Sequence, residues 1–168
     1  MRDEDPCMTL ALEKSDHLRA YGTATSYVEK IALAEAERDA RNRMAQMMKV
    51  AIEGAAQDYA QNTNQNLRNT ATALGEQVMT QYVAEEIKGS RVIKTTIYDL
   101  SDGQIMVSVC IEQSDNLAAA NKKLENELDR SGVITAQYDR DRFIAKTAAG
   151  LEEYKARQRQ EYQQQPQE

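Results

Sequence analysis

The chain has 168 residues, enough for one compact domain with terminal appendages. Hydrophobic residues make up 41%, with one Phe and no Trp, so the core is modest. The formal net charge of −6 removes the basic footprint that a general nucleic-acid binder, or docking on anionic lipid, requires.

Residues 1–17 read as an amino-terminal tail in which Met8 to Glu13 could form one turn of helix. Met1-Arg2-Asp3-Glu4-Asp5-Pro6 is acidic, where an export signal would be basic and then apolar. That fits either a cytosolic protein or a mature segment behind an initiator methionine. Leu18 to Thr25 alternates as a strand, with Leu18, Ala20, Gly22 and Ala24 on one face. Gly22 marks either a close backbone approach or a bulge.

Ser26-Tyr27-Val28-Glu29 has the form of a capping box and opens the dominant helix, Ser26 to Ala55. Leu33, Ala36, Ala40, Met44, Met47, Ala51 and Ala55 recur three or four residues apart, with Met48 at the margin of that stripe. Glu35, Arg38, Asp39, Asn42, Lys49 and Glu53 form the solvent face. Gly54 should interrupt or weaken the helix. From Ala60 to Thr72 the chain is polar and aperiodic, with Leu67 and Leu74 its only large apolar residues, and Gly75 marks a break. Val78, Met79, Tyr82, Val83 and Ile87 then predict a second core helix over Glu76–Ile87, stopped by Lys88-Gly89.

Arg91 to Asp99 and Gln104 to Ile111 are rich in β-branched residues and flank Leu100-Ser101-Asp102-Gly103, which predicts a hairpin. Ile105, Val107, Val109 and Ile111 share one face, and the sheet should be covered on one side only. Ser114 and Asp115 are expected to cap a third helix carrying Leu117, Ala120, Leu124 and Leu128, ended by Ser131-Gly132. A last helix from about Asp139 carries Phe143, Thr147, Leu151 and Tyr154. Gln158 to Glu168 reads as a disordered, glutamine-rich tail. The expectation is an α+β fold, a three-stranded and mostly antiparallel sheet with long amphipathic helices on one face. Residues 18–112 form its core and 113–157 a helical extension.

Catalytic chemistry finds little to work with. His17 is the only histidine, and no nucleophile carries an elbow motif or a catalytic cysteine context. Cys7, His17 and Cys110 lack the paired spacing of a zinc site. The carboxylate pairs Glu85-Glu86, Glu125/Glu127 and Glu152-Glu153 fall on predicted helix surfaces and read as solvated faces. There is no phosphate-cradling glycine loop, so no cofactor is expected. Cys7 and Cys110 could form one disulfide in an oxidising compartment, or remain thiols, one exposed and one half-buried.

Ala20-Tyr21-Gly22-Thr23-Ala24-Thr25-Ser26, the Ala-rich Ala32 to Ala45, and Gly103-Gln104-Ile105-Met106-Val107-Ser108-Val109 together resemble the Lpp-twenty family of small bacterial envelope lipoproteins. The same segments are similar to the amino-terminal domain of the flagellar assembly protein T. The resemblance spans about residues 18–112 and implies an exported protein of the periplasm or outer membrane, without a reaction. The chain departs from lipoprotein members because Cys7 has no preceding apolar segment. The leading expectation is therefore a non-catalytic interaction or assembly module of the envelope, meeting a protein partner or a second copy through Leu117, Leu124, Leu128, Phe143, Leu151 and Tyr154. A second expectation is a small-molecule module with its pocket between the long helix and the sheet near Gly22 and Ala24. A cytosolic enzyme of unrecognised type is the third.

Overall fold

The computed structural model describes residues 5–61, 73, 76, 79–132, 134 and 136–164. Leu67, Leu74, the break at Gly75 and Val78 lie outside the described residues. The elements in order are α1 (Pro6–Leu12), β1 (His17–Ser26), α2 (Glu29–Gln61) and a π-helical turn (Met79–Val83) that runs into α3 (Ala84–Lys88). They are followed by β2 (Arg91–Asp99), β3 (Ile105–Asn116), α4 (Leu117–Ser131) and α5 (Gln137–Gln164). The three strands form an antiparallel sheet in the order β1-β3-β2, so the fold is α+β.

The alternation in β1 puts Leu18, Ala20 and Gly22 on the buried face beneath α2. A Cβ on Gly22 would lie 2.2 Å from the Ala40 amide nitrogen and 2.4 Å from the Ala36 carbonyl oxygen. Helix and strand therefore touch backbone to backbone, which settles Gly22 as a close approach. The bulge in β1 falls between His17 and Arg19. The Thr23 amide donates 3.0 Å to Asp39 Oδ2, so α2 also occupies a donor on the outer strand.

The capping box does not form. The helix begins at Glu29, and the Ser26 hydroxyl, at the end of β1, accepts from the Val28 amide at 3.2 Å. The helix passes through Gly54 without a break and continues beyond Ala55 to Gln61. Gly54 is exposed with nothing near its missing Cβ, while Ile52, Ala55 and Ala56 anchor the turn around it. Met48, at the margin of the predicted stripe, is buried, and Leu33 is only half-buried because Ala32 takes the inner position.

In the hairpin, Gly103 has φ +85°, the left-handed conformation that the Asp-Gly turn needs. Strand β3 runs five residues past Ile111 and is buried from Val107 to Gln113. The side chain that caps α4 is consequently Asn116, which accepts from the Ala119 amide at 2.8 Å, and not Ser114 or Asp115. Gly132, at φ +66°, ends α4 as expected.

The sheet is covered on both faces. Helix α1, part of the expected tail, starts on an Asp5 cap with Pro6 in its first turn and buries Cys7, Met8 and Ala11. Cys7 and Ala11 pack with Cys110 on the face opposite α2. The helices after β3 are not an extension, because Leu124, Leu128, Ile134 and Phe143 belong to the same core as the strand residues. Helix α5 runs antiparallel to α2, with Arg142 Nε 3.0 Å from Asp58 Oδ2 and Gly150 fitted against Ala51. Residues 158–164 continue that helix where a disordered tail was expected. Among the described residues, no helix is long and apolar enough to cross a membrane.

Candidate functional site

Of the six residues read from the sequence as a contact surface, Leu124, Leu128 and Phe143 are buried in the chain's own core, which closes them to a partner, while Leu117, Leu151 and Tyr154 are half-buried. The pocket expected near Gly22 and Ala24 is likewise closed by the contact with Ala36 and Ala40. His17 is half-buried at the start of β1 with Nδ1 3.3 Å from its neighbour Asp16.

Cys7 and Cys110 meet in one cluster, both buried and both free thiols. Burial pushes the Cys7 thiol up, and burial with the nearby Cys7 sulfur pushes Cys110 up to about 12.

Two buried carboxylates lie at the far end of the sheet, on opposite faces of β3. Glu112 accepts from Arg19 Nε and from Arg91 Nη2, each at 2.8 Å. Burial raises its carboxyl, but the two guanidiniums outweigh that and hold it below the ordinary range. Glu86, on α3, faces the other side. Its Oε2 accepts from the Gln113 amide, and Lys123 Nζ lies 3.6 Å from Oε1. Asp115 shares that lysine, and Tyr82, one turn before Glu86, donates 3.2 Å to the Ala120 carbonyl. Burial drives the Glu86 carboxyl upward and Asp115 adds to it, against the Gln113 hydrogen bond and Lys123. Asp115 is lowered, chiefly by its hydrogen bond from Lys123.

A carboxyl beside a carboxylate, a lysine and a phenol is the material of acid–base catalysis. The void that reaches Tyr82 and Gln113, lined also by Leu18, Met48, Ile52 and Leu124, holds about 20 Å³, room for one water. Glu86 was expected on a solvated face with Glu85. Only Glu85 is exposed; Glu86 follows Tyr82 by four residues and Val83 by three, which puts it on the apolar stripe of its own helix. Glu125 and Glu127 are half-buried, and Glu152 and Glu153 are exposed.

Among the described residues, most of the large apolar side chains left exposed lie at one end of the sheet; Val92, towards the other end of β2, and Tyr138, at the start of α5, lie elsewhere. Tyr27 (68% exposed) and Val28 stand between the last β1 residue, Ser26, and α2, and Ile31 lies in the first turn of α2. Ser26 pairs with Ile105, which pairs in turn with Asp99, so Leu100 and Ile97 (48% exposed) belong to the same end. A separate open hollow of about 750 Å³ lies between α2 and α3, lined by Ala45, Lys49, Thr80, Val83, Ile87 and Lys88. Comparison with protein-family models, with curated proteins and with solved structures finds no match for this chain.

Proposed function

We propose that this chain is a non-catalytic interaction or assembly module of the bacterial cell envelope, meeting a protein partner through the apolar end of its sheet. One observation carries the reading. In a molecule with few large side chains to spare, Tyr27, Val28, Ile31, Ile97 and Leu100 stay exposed at the same end. Aromatic and aliphatic anchors grouped in this way suit the centre of a protein interface. The envelope location rests on the resemblance of residues 18–112 to the Lpp-twenty family. A photo-crosslinking residue in place of Ile31 or Ile97 should capture one discrete partner in envelope fractions, and the same residue in place of the exposed Glu153 should capture none. Equal capture at all three positions, or recovery of the chain only from the cytosol, overturns the reading.

The hollow between α2 and α3 favours a second reading, a small-molecule module. Its volume falls in the range of ligand sites, and Lys49 and Lys88 flank an apolar floor. A panel of anionic amphiphiles that raises the melting temperature, and fails to do so after Lys49→Gln with Lys88→Gln, supports this reading over the first.

A further inference from the structure

We propose that Cys7 and Cys110 are built to close an internal disulfide in an oxidising compartment, tying α1 to the middle strand of the sheet. They are the only two cysteines in the chain, and they lie far apart in sequence. The fold nevertheless brings both, each fully buried, into one small cluster whose other buried member is Ala11. Cys7 is held there by its surroundings. Its amide donates 2.9 Å to Asp5 Oδ1 in the helix cap, and the other Asp5 oxygen accepts from the Ser108 hydroxyl on β3.

The Cys7 sulfur itself stands 3.3 Å from the Ser108 carbonyl and 3.5 Å from the Lys94 carbonyl. Ser108 lies two positions before Cys110 on β3, and Lys94 is the partner of Cys110 across the ladder. The Thr96 hydroxyl, on the residue that pairs with Ser108, is 3.4 Å away as well, so the Cys7 sulfur rests on the strand residues beside Cys110, whose side chain leaves the sheet on the face that α1 covers.

In the reaction both S–H bonds break and one S–S bond forms. Two electrons and two protons pass to a disulfide oxidant, either glutathione disulfide or the disulfide of a thiol oxidase, which leaves as two thiols. Both sulfurs are shielded once α1 has docked and both are held as thiols, so exchange proceeds before docking or during its reversal. The closed bond then spans a long loop, the case in which a cross-link restricts the unfolded chain most. The pairing does not depend on the interface proposed above.

The test is to refold the purified full chain from reduced denaturant in an oxidising glutathione buffer, then alkylate it in denaturant and weigh it. The expected product is monomeric, lighter than the reduced chain by two hydrogens and closed to alkylation. After digestion the Cys7 and Cys110 peptides should be joined. It should melt roughly 5–15 °C above its own reduced form. A Cys7→Ala chain should show no such response to reductant. Two alkylated cysteines, glutathione adducts on both, chain-to-chain bonds, or a bonded form that melts no higher than the reduced one would each overturn the proposal.

Discussion

Glu112 and Glu86 are both buried glutamates at the same end of the sheet, and their surroundings push them in opposite directions. Glu112 meets two arginines brought from the strands on either side, each offering a directed guanidinium hydrogen bond. Glu86 meets an amide and one lysine that it must share with Asp115. Burial raises both carboxyls, and the number and kind of partners separate the one held low from the one left high. The first is a structural ion cluster joining all three strands. The second is a polar plug that holds α3 against β3 and α4.

The largest expected effect comes from breaking the first cluster. Glu112→Gln leaves the Arg19 guanidinium, 18% exposed, without its carboxylate, and should cost about 3 kcal/mol in urea unfolding. Glu86→Gln keeps a carbonyl oxygen for Gln113 and removes the conflict with Asp115, so it should stay within about 1 kcal/mol of the parent. Equal losses in the two variants would erase the contrast.

The pH dependence separates them further. Glu112 has a lowered pKa, so its stabilisation is present above the ordinary glutamate value of 4.5 and is lost as the pH falls through the lower folded value. Glu86 has a raised pKa, so its stabilisation is present below 4.5 and is lost as the pH rises through the higher folded value. Urea midpoints measured across the acid-to-neutral range should therefore show a shallower acid-side decline in Glu112→Gln, where Asp115 still contributes, and a shallower upper-side decline in Glu86→Gln. The smallest effect is expected from Lys123→Met. Its side chain is 52% exposed, so stability should change by about 0.5 kcal/mol or less. The upper-side decline should nevertheless extend to higher pH, because the cation that opposes the rise at Glu86 is gone.

The sequence carried those parts of the fold that depend on local repetition. The alternation around Gly22, the alanine stripe of α2 and the Asp-Gly turn each encode a face or a bend, and all appear where expected. What escaped were features set by distant partners. Amphipathic spacing in α4 and α5 tells that Leu124 and Phe143 are buried, but not that the covering surface is the chain's own core. Glu112 and Gln113 fall just past Ile111, where the strand was expected to end, yet their partners Arg19, Arg91 and Glu86 hold both of them buried. Helix α1 is too short to show a period, although Asp5 before Pro6 is a helix start that could have been read. Gly54 failed as a breaker because it faces solvent, where a missing side chain leaves no gap.

The contact at Gly22 also governs how the molecule can move. Where an intervening layer of side chains can deform, a helix can slide along a strand. Here the Ala36 and Ala40 backbone rests directly on Gly22, and the Thr23 amide is bonded to the same helix. Strand β1 and the first half of α2 must travel as one plate, and their amides should be the last to exchange with deuterium. Slow motion is left to the pieces that pack on that plate through side chains alone, α1 on one face and the Met79–Lys88 segment on the other.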